Sequence, residues 1–142
     1  MRAGNLLCLL GLVLVTMALT MSSSNSGERP AGKDKAAQPN KVLRHIVMYK
    51  FKDGLPPEQI QEVVDTFAAL PSKIDTIIDF EHGTNVSTEG KSQGLTHCFV
   101  VTFRDEKGRD AYLVHPAHLQ YVEVVKDRRD QVVVFDYWAD AQ

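Results

Sequence analysis

The chain holds 5 histidines, and their placement decides what chemistry it can do. His115 and His118 stand in YLVHPAHLQY, residues 112–121, with Pro116 between them and a tyrosine at each end. Such a box reads as a metal site, an acid–base pair or a helix boundary. Pro116 discriminates among these. The residue before a proline clashes with the pyrrolidine ring and is pushed out of helical backbone. His115 is therefore expected at a helix cap, Pro116 at the first helical position and His118 in the first turn. The two imidazoles then do not share a helix face, and the helical metal spacing does not apply. His118, at the positive end of its helix, is favoured as the neutral ring, the form a general base needs. Tyr112, just ahead of the break, can donate its hydroxyl hydrogen to a developing oxyanion.

His45 and His97 fall on strands, each on the face that carries large apolar groups. If that face meets helices, both point into the interior that holds Tyr112 and His118. Either can equally be a core histidine satisfied by hydrogen bonds. His115 reads as a cap and His82 as structural. No carboxylate or thiolate stands beside His45, His97 and His118, so no metal is expected. There is no glycine-rich phosphate loop, CxxC, HExxH or GxSxG, and no cofactor is expected. Val47, Tyr49, Phe67, Phe99 and Tyr121 are expected to complete a pocket wall around the histidines.

The elements that must position these groups follow from periodicity. VLRHIVMYKFK (42–52) alternates as a strand, with His45, Val47, Tyr49 and Phe51 on one face. DGLPP turns into a helix over 58–70, whose Ile60, Val63, Val64 and Phe67 recur at helical spacing. A second strand is expected over 77–82 and a third over 96–103, where His97, Phe99, Val101 and Phe103 face together. A helix over 106–114 breaks at His115-Pro116, a further helix runs to about Arg129, and QVVVFDYW (131–138) is the last strand. The order β-α-β-β-α-β is the ferredoxin-like α+β pattern. Strands one, three and four are apolar on both faces, yet helices cover only one. Ile46, Met48, Val100 and alternate residues of VVVF would then face water, and a patch of that kind marks an interface. A symmetric homodimer joined sheet to sheet is expected.

Composition sets outer bounds. The chain has 142 residues, 44% hydrophobic and 24% charged, which suits one globular domain. From Lys41 onward, 12 Lys and Arg face 16 Asp and Glu, a net charge near -4. No basic stripe is present, so no nucleic-acid partner is expected. The start differs. After Arg2, Leu6 to Met21 is apolar except for Thr16 and Thr20, and a small polar exit follows. This reads as a secretory signal over 1–24, with an uncleaved membrane anchor as the alternative. Residues 25–40 have almost no large apolar group and read as a flexible tether. The domain proper is 41–142, in an exported protein, periplasmic or extracellular. A membrane contact is expected only if the leader is retained. Cys98, lone in the exported part, can form no internal disulfide and reads as a small buried hydrophobe.

RHIVMYKFK, the EHGTNVSTEG loop, GLTHCFVVTF and AYLVHPAHLQYV together resemble the stress-responsive A/B barrel (Dabb) family, over about Val42 to Tyr137. The resemblance implies a dimeric α+β barrel. A plant polyketide cyclase of that family closes a linear chain by cofactor-free aldol condensation. Its catalytic tyrosine and histidine match Tyr112 and His118, and its other pocket histidines match His45 and His97. By that resemblance His118 would take a proton alpha to a carbonyl and Tyr112 would stabilise the enolate oxygen. Tyr121 stands where that enzyme has a phenylalanine, and Val63-Val64 where it has an aromatic pair, so the pocket differs in shape and polarity. The expected function is binding of a small hydrophobic molecule in a His/Tyr-lined pocket. The alternatives are a cyclase or lyase using His118 and Tyr112, and a monooxygenase-like or haem-binding barrel.

Overall fold

A computed structural model of the chain describes residues 40–141. The expected signal over 1–24 and the expected tether, but for Asn40, lie outside the described residues. Four strands form one antiparallel sheet: β1 (Lys41–Phe51), β2 (Ile77–Thr84), β3 (His97–Phe103) and β4 (Arg129–Asp140), in the order β2-β3-β1-β4. The helices are α1 (Pro57–Ala68), α2 (Glu106–Leu113) and α3 (Pro116–Val125), with a 3-10 turn at Leu70–Ser72. This is the ferredoxin-like α+β order that the alternating patterns predict. Among the described residues, no helix is long and apolar enough to cross a membrane.

Local chemistry sets the helix starts. Pro57 opens α1 with its ring-fixed φ. Asp105 caps α2 by accepting from the Gly108 N–H at 2.7 Å. At α3, His115 is extended (φ -67, ψ 135), and its Nδ1 accepts from the Ala117 N–H at 3.1 Å. The break between α2 and α3 is thus the joint that Pro116 requires, with His115 as its cap.

The end of α3 differs from the expected course. The helix stops at Val125, and β4 starts at Arg129 rather than Gln131. The Lys52 N–H donates to the Arg128 carbonyl at 2.9 Å, so the far end of β1 recruits the backbone that pattern alone assigns to helix. A bulge accommodates this. Lys50 pairs with Gln131 but Phe51 pairs with Arg129, leaving Asp130 as the extra residue.

Register sorts the two faces of the sheet. Tyr49 lies opposite His97, Val47 opposite Phe99 and His45 opposite Val101 on the helix-covered side. There Phe67 of α1 stacks on Phe99 with ring centroids 4.4 Å apart and meets Tyr121 of α3 at 4.5 Å. Phe67 is fully buried. Phe67→Ala is expected to cost about 3–5 kcal/mol; urea unfolding would show it as a lower midpoint, and an unchanged midpoint would contradict this core assignment. On the other face, Ile46 lies opposite Phe135 and Val100, and Met48 opposite Val133 and Cys98. Among the described residues no helix covers this side. Phe135 is 59% exposed and Tyr137 41%. Cys98 is only half-buried here, not enclosed as the strand pattern suggests. Burial and then Glu81 push its thiol up, away from the reactive thiolate.

Candidate functional site

A cavity of about 340 Å³ lies between the helix side of β1 and β4 and the helices above. It exists because α1, α2 and α3 cover β1 and β3 but leave part of β4 open: Val134 on this face is 54% exposed. His45, Val47 and Tyr49 form its floor from β1, and Val132, Val134 and Asp136 continue it from β4. Tyr112 and Leu113 enter from α2, His118, Tyr121 and Val122 from α3, and Phe67 from α1. The joint at Pro116 brings the Tyr112 and His118 rings to 4.3 Å between centroids. A continuous helix would have sent them to different faces.

Each polar group has a defined state. The His118 Nδ1 lies 3.1 Å from the Leu113 carbonyl oxygen. A carbonyl only accepts, so Nδ1 carries the hydrogen and Nε2 the lone pair. Burial holds the His118 pKa below its ordinary 6.5; the Leu113 carbonyl opposes this, and His45 and His115 add to it. Sequence reasoning credited the helix N-terminus, whereas burial is the largest cause here. Burial raises Tyr112 well above the usual tyrosine range, so it stays a protonated donor. Tyr112 is 1% exposed, and its hydroxyl has no hydrogen-bond partner among the described residues. Among the described residues the buried polar side-chain atom left without a partner is Thr76 Oγ1 and not this hydroxyl, so the Tyr112 oxygen keeps access to the cavity in whose wall it lies.

Behind them stands a group that sequence reasoning missed. The His45 Nδ1 lies 2.7 Å from Asp136 Oδ1, and Arg109 Nη1 donates to Asp136 Oδ2. His45, 5% exposed, packs edge-on against Tyr112 at 5.8 Å. The carboxylate fixes the ring orientation, as such partners do for histidines in functional sites. A signal existed: Asp136 is the one carboxylate in the apolar run QVVVFDYW, residues 131–138. Arg129 also lines the cavity, although it reads as a solvated helix end in the sequence.

The structure gathers His45, Val47, Tyr49, Phe67, Tyr112, His118 and Tyr121 around one cavity, but not His97 and Phe99. β3 is the next strand over. Phe99 sits behind Phe67 as fully buried core. His97 lies toward the β2 edge with its ring against Phe51 at 5.0 Å, and burial, then His82, lowers its pKa. It opens instead on a separate hollow of about 530 Å³ with Cys98, Met48 and the β2–β3 loop. No cluster of three His, Cys, Asp or Glu side chains suited to a metal ion occurs among the described residues.

The family model for the stress-responsive A/B barrel domain matches residues 43–139. The chain is 36% identical over 95 residues to the stress-response A/B barrel domain-containing protein HS1 of Arabidopsis thaliana, covering 67% of this chain and 87% of that one. It is 30% identical over 96 residues to olivetolic acid cyclase of Cannabis sativa, covering 68% of this chain and 95% of the cyclase. The crystal structure of a dimeric ferredoxin-like protein from Jannaschia sp. CCS1 superposes with a TM-score of 0.60 at 29% identity, covering 68% of this chain and 97% of that one.

Proposed function

Because the chain belongs to the stress-responsive A/B barrel family, we propose that it is a homodimer that binds a small, mostly apolar carbonyl compound and moves a proton on it without a cofactor. The observation that carries this is the pair at the α2–α3 joint. The hydroxyl of Tyr112, unpartnered among the described residues, opens on the same cavity as a half-buried His118 whose free nitrogen is fixed as Nε2. His118 Nε2 takes the proton alpha to the carbonyl. The C–H electron pair forms the carbon–carbon double bond, the carbonyl π pair moves onto oxygen, and Tyr112 donates a hydrogen bond to the enolate. The proton then returns to carbon, or the enolate carbon attacks a second carbonyl of the same molecule, closing the ring, and the proton held by His118 passes to the new alkoxide. A relative that is a cyclase supports this reading.

The dimer is supported by the dimeric ferredoxin-like neighbour and by the uncovered apolar sheet face. The leader read in residues 1–24 supports an exported location, which fractionation and N-terminal sequencing of the mature protein would check. Apolar walls from Leu113, Val122, Val132 and Val134 also suit a protein that only holds its ligand.

One experiment separates catalysis from holding. Small ketones and oxo acids are incubated with the protein in deuterium oxide and followed by NMR. Catalysis predicts loss of the alpha-hydrogen signal above the buffer rate, together with shifts of the His118 and Tyr112 resonances. Shifts without exchange would leave binding alone, and neither would remove both readings.

A further inference from the structure

The cavity has a second polar end, at Tyr49, Tyr121 and Arg129. The Tyr121 hydroxyl donates to the Tyr49 hydroxyl at 2.8 Å, and Arg129 lines the same cavity, its positive charge acting on Tyr49. The bulge at Asp130 is what places Arg129 here. Because Phe51 pairs with Arg129, Arg129 shares the helix-side face with buried Phe51. In unbroken register Phe51 would pair with Asp130, and a carboxylate would take this position. Bulges beside functional sites commonly re-aim one side chain in this way.

The neighbouring charges are already committed elsewhere. Arg128 binds Glu62 at 2.7 Å, and Asp130 accepts from Lys50 at 2.6 Å. Among the described residues no carboxylate pairs with Arg129. A guanidinium in a cavity wall without a carboxylate partner among the described residues can bind an anion through two parallel N–H bonds. Resting on the proposed small-molecule pocket, we infer that Arg129 and the Tyr49 hydroxyl anchor a carboxylate of the bound molecule. The His118 ring lies 6.3 Å from the Tyr121 ring, whose hydroxyl meets Tyr49, so one short chain can reach from this end to the Tyr112–His118 pair. The ligand is therefore an oxo acid: its carboxylate sits at Arg129, an apolar stretch crosses Val47, Val132 and Val134, and its carbonyl reaches Tyr112 and His118.

Matched acid and amide probes test this: hexanoate with hexanamide, and 6-oxoheptanoate with 6-oxoheptanamide. Binding is measured by calorimetry at low ionic strength, with the His118 and Tyr112 NMR signals reporting cavity occupancy. The acids are expected to bind wild type about tenfold more tightly than the amides. Arg129→Gln should remove that preference, bringing acid and amide affinities together, while Arg129→Lys keeps part of it. Equal binding of acids and amides to wild type overturns the anchor while leaving the pocket reading intact. A preference that survives Arg129→Gln does the same. If no probe moves the His118 and Tyr112 signals, the pocket reading fails and the anchor with it.

Discussion

Tyr112→Phe is expected to lower the alpha-proton exchange rate by about 10²–10³-fold, the usual loss for one oxyanion donor, without destabilising the protein. The hydroxyl has no protein hydrogen bond to lose among the described residues, and its oxygen keeps access to the cavity. Urea unfolding should therefore give a midpoint close to that of wild type. A structural tyrosine would behave in the opposite way, losing stability and leaving the rate alone. His118→Gln should lower the rate by about 10²–10⁴-fold, because an amide cannot accept the proton. The pH profile has a sign fixed by the same environment. Only the neutral ring is a base, and the His118 pKa lies below the ordinary 6.5, so the acid limb of the rate should fall below that pH. The alkaline side should stay flat past the usual tyrosine range, since burial keeps Tyr112 protonated there. A rate that falls with an inflection above pH 6.5 would exclude His118 as the base.

Phe135→Asp should convert the dimer to a folded monomer. Phe135 sits opposite Ile46 on the uncovered face and is 59% exposed, so the monomer core does not depend on it. In a two-fold interface the change occurs twice, and two carboxylates would be brought together in an apolar layer. A penalty of about 4 kcal/mol would weaken dimerisation by about a thousandfold. Light scattering should halve the mass at micromolar concentration, while the circular dichroism spectrum stays as in wild type. A variant that remains dimeric would place the interface elsewhere.

These tests bear on residues that differ in how visible they are in the sequence. His118 and Tyr112 were legible because proline acts locally: its ring fixes its own backbone and that of the preceding residue. The joint at His115-Pro116 therefore follows from adjacent atoms. The two-faced apolar pattern of the strands was legible for the same reason, since side chains alternate strictly along an extended chain. Asp136 was partly legible, as a carboxylate out of place in QVVVFDYW, but its partner was not. His45 and Asp136 are opposed only through the β1–β4 register, a pairing between distant segments.

His97 and Arg129 show where local reasoning stops. His97 shares a face with His45, which alternation predicts, but whether it reaches the cavity depends on which strand the helices leave uncovered. Arg129 reads as a charged helix end until the far end of β1 draws Arg128 and Arg129 into the sheet and a bulge turns one guanidinium inward. By itself the sequence determined the order of elements, the joint at Pro116 and the apolarity of both sheet faces, because each depends on steric rules between chain neighbours. Only the tertiary structure decided which polar groups share one cavity, because register, bulge and helix coverage are set by contacts between segments far apart in the chain.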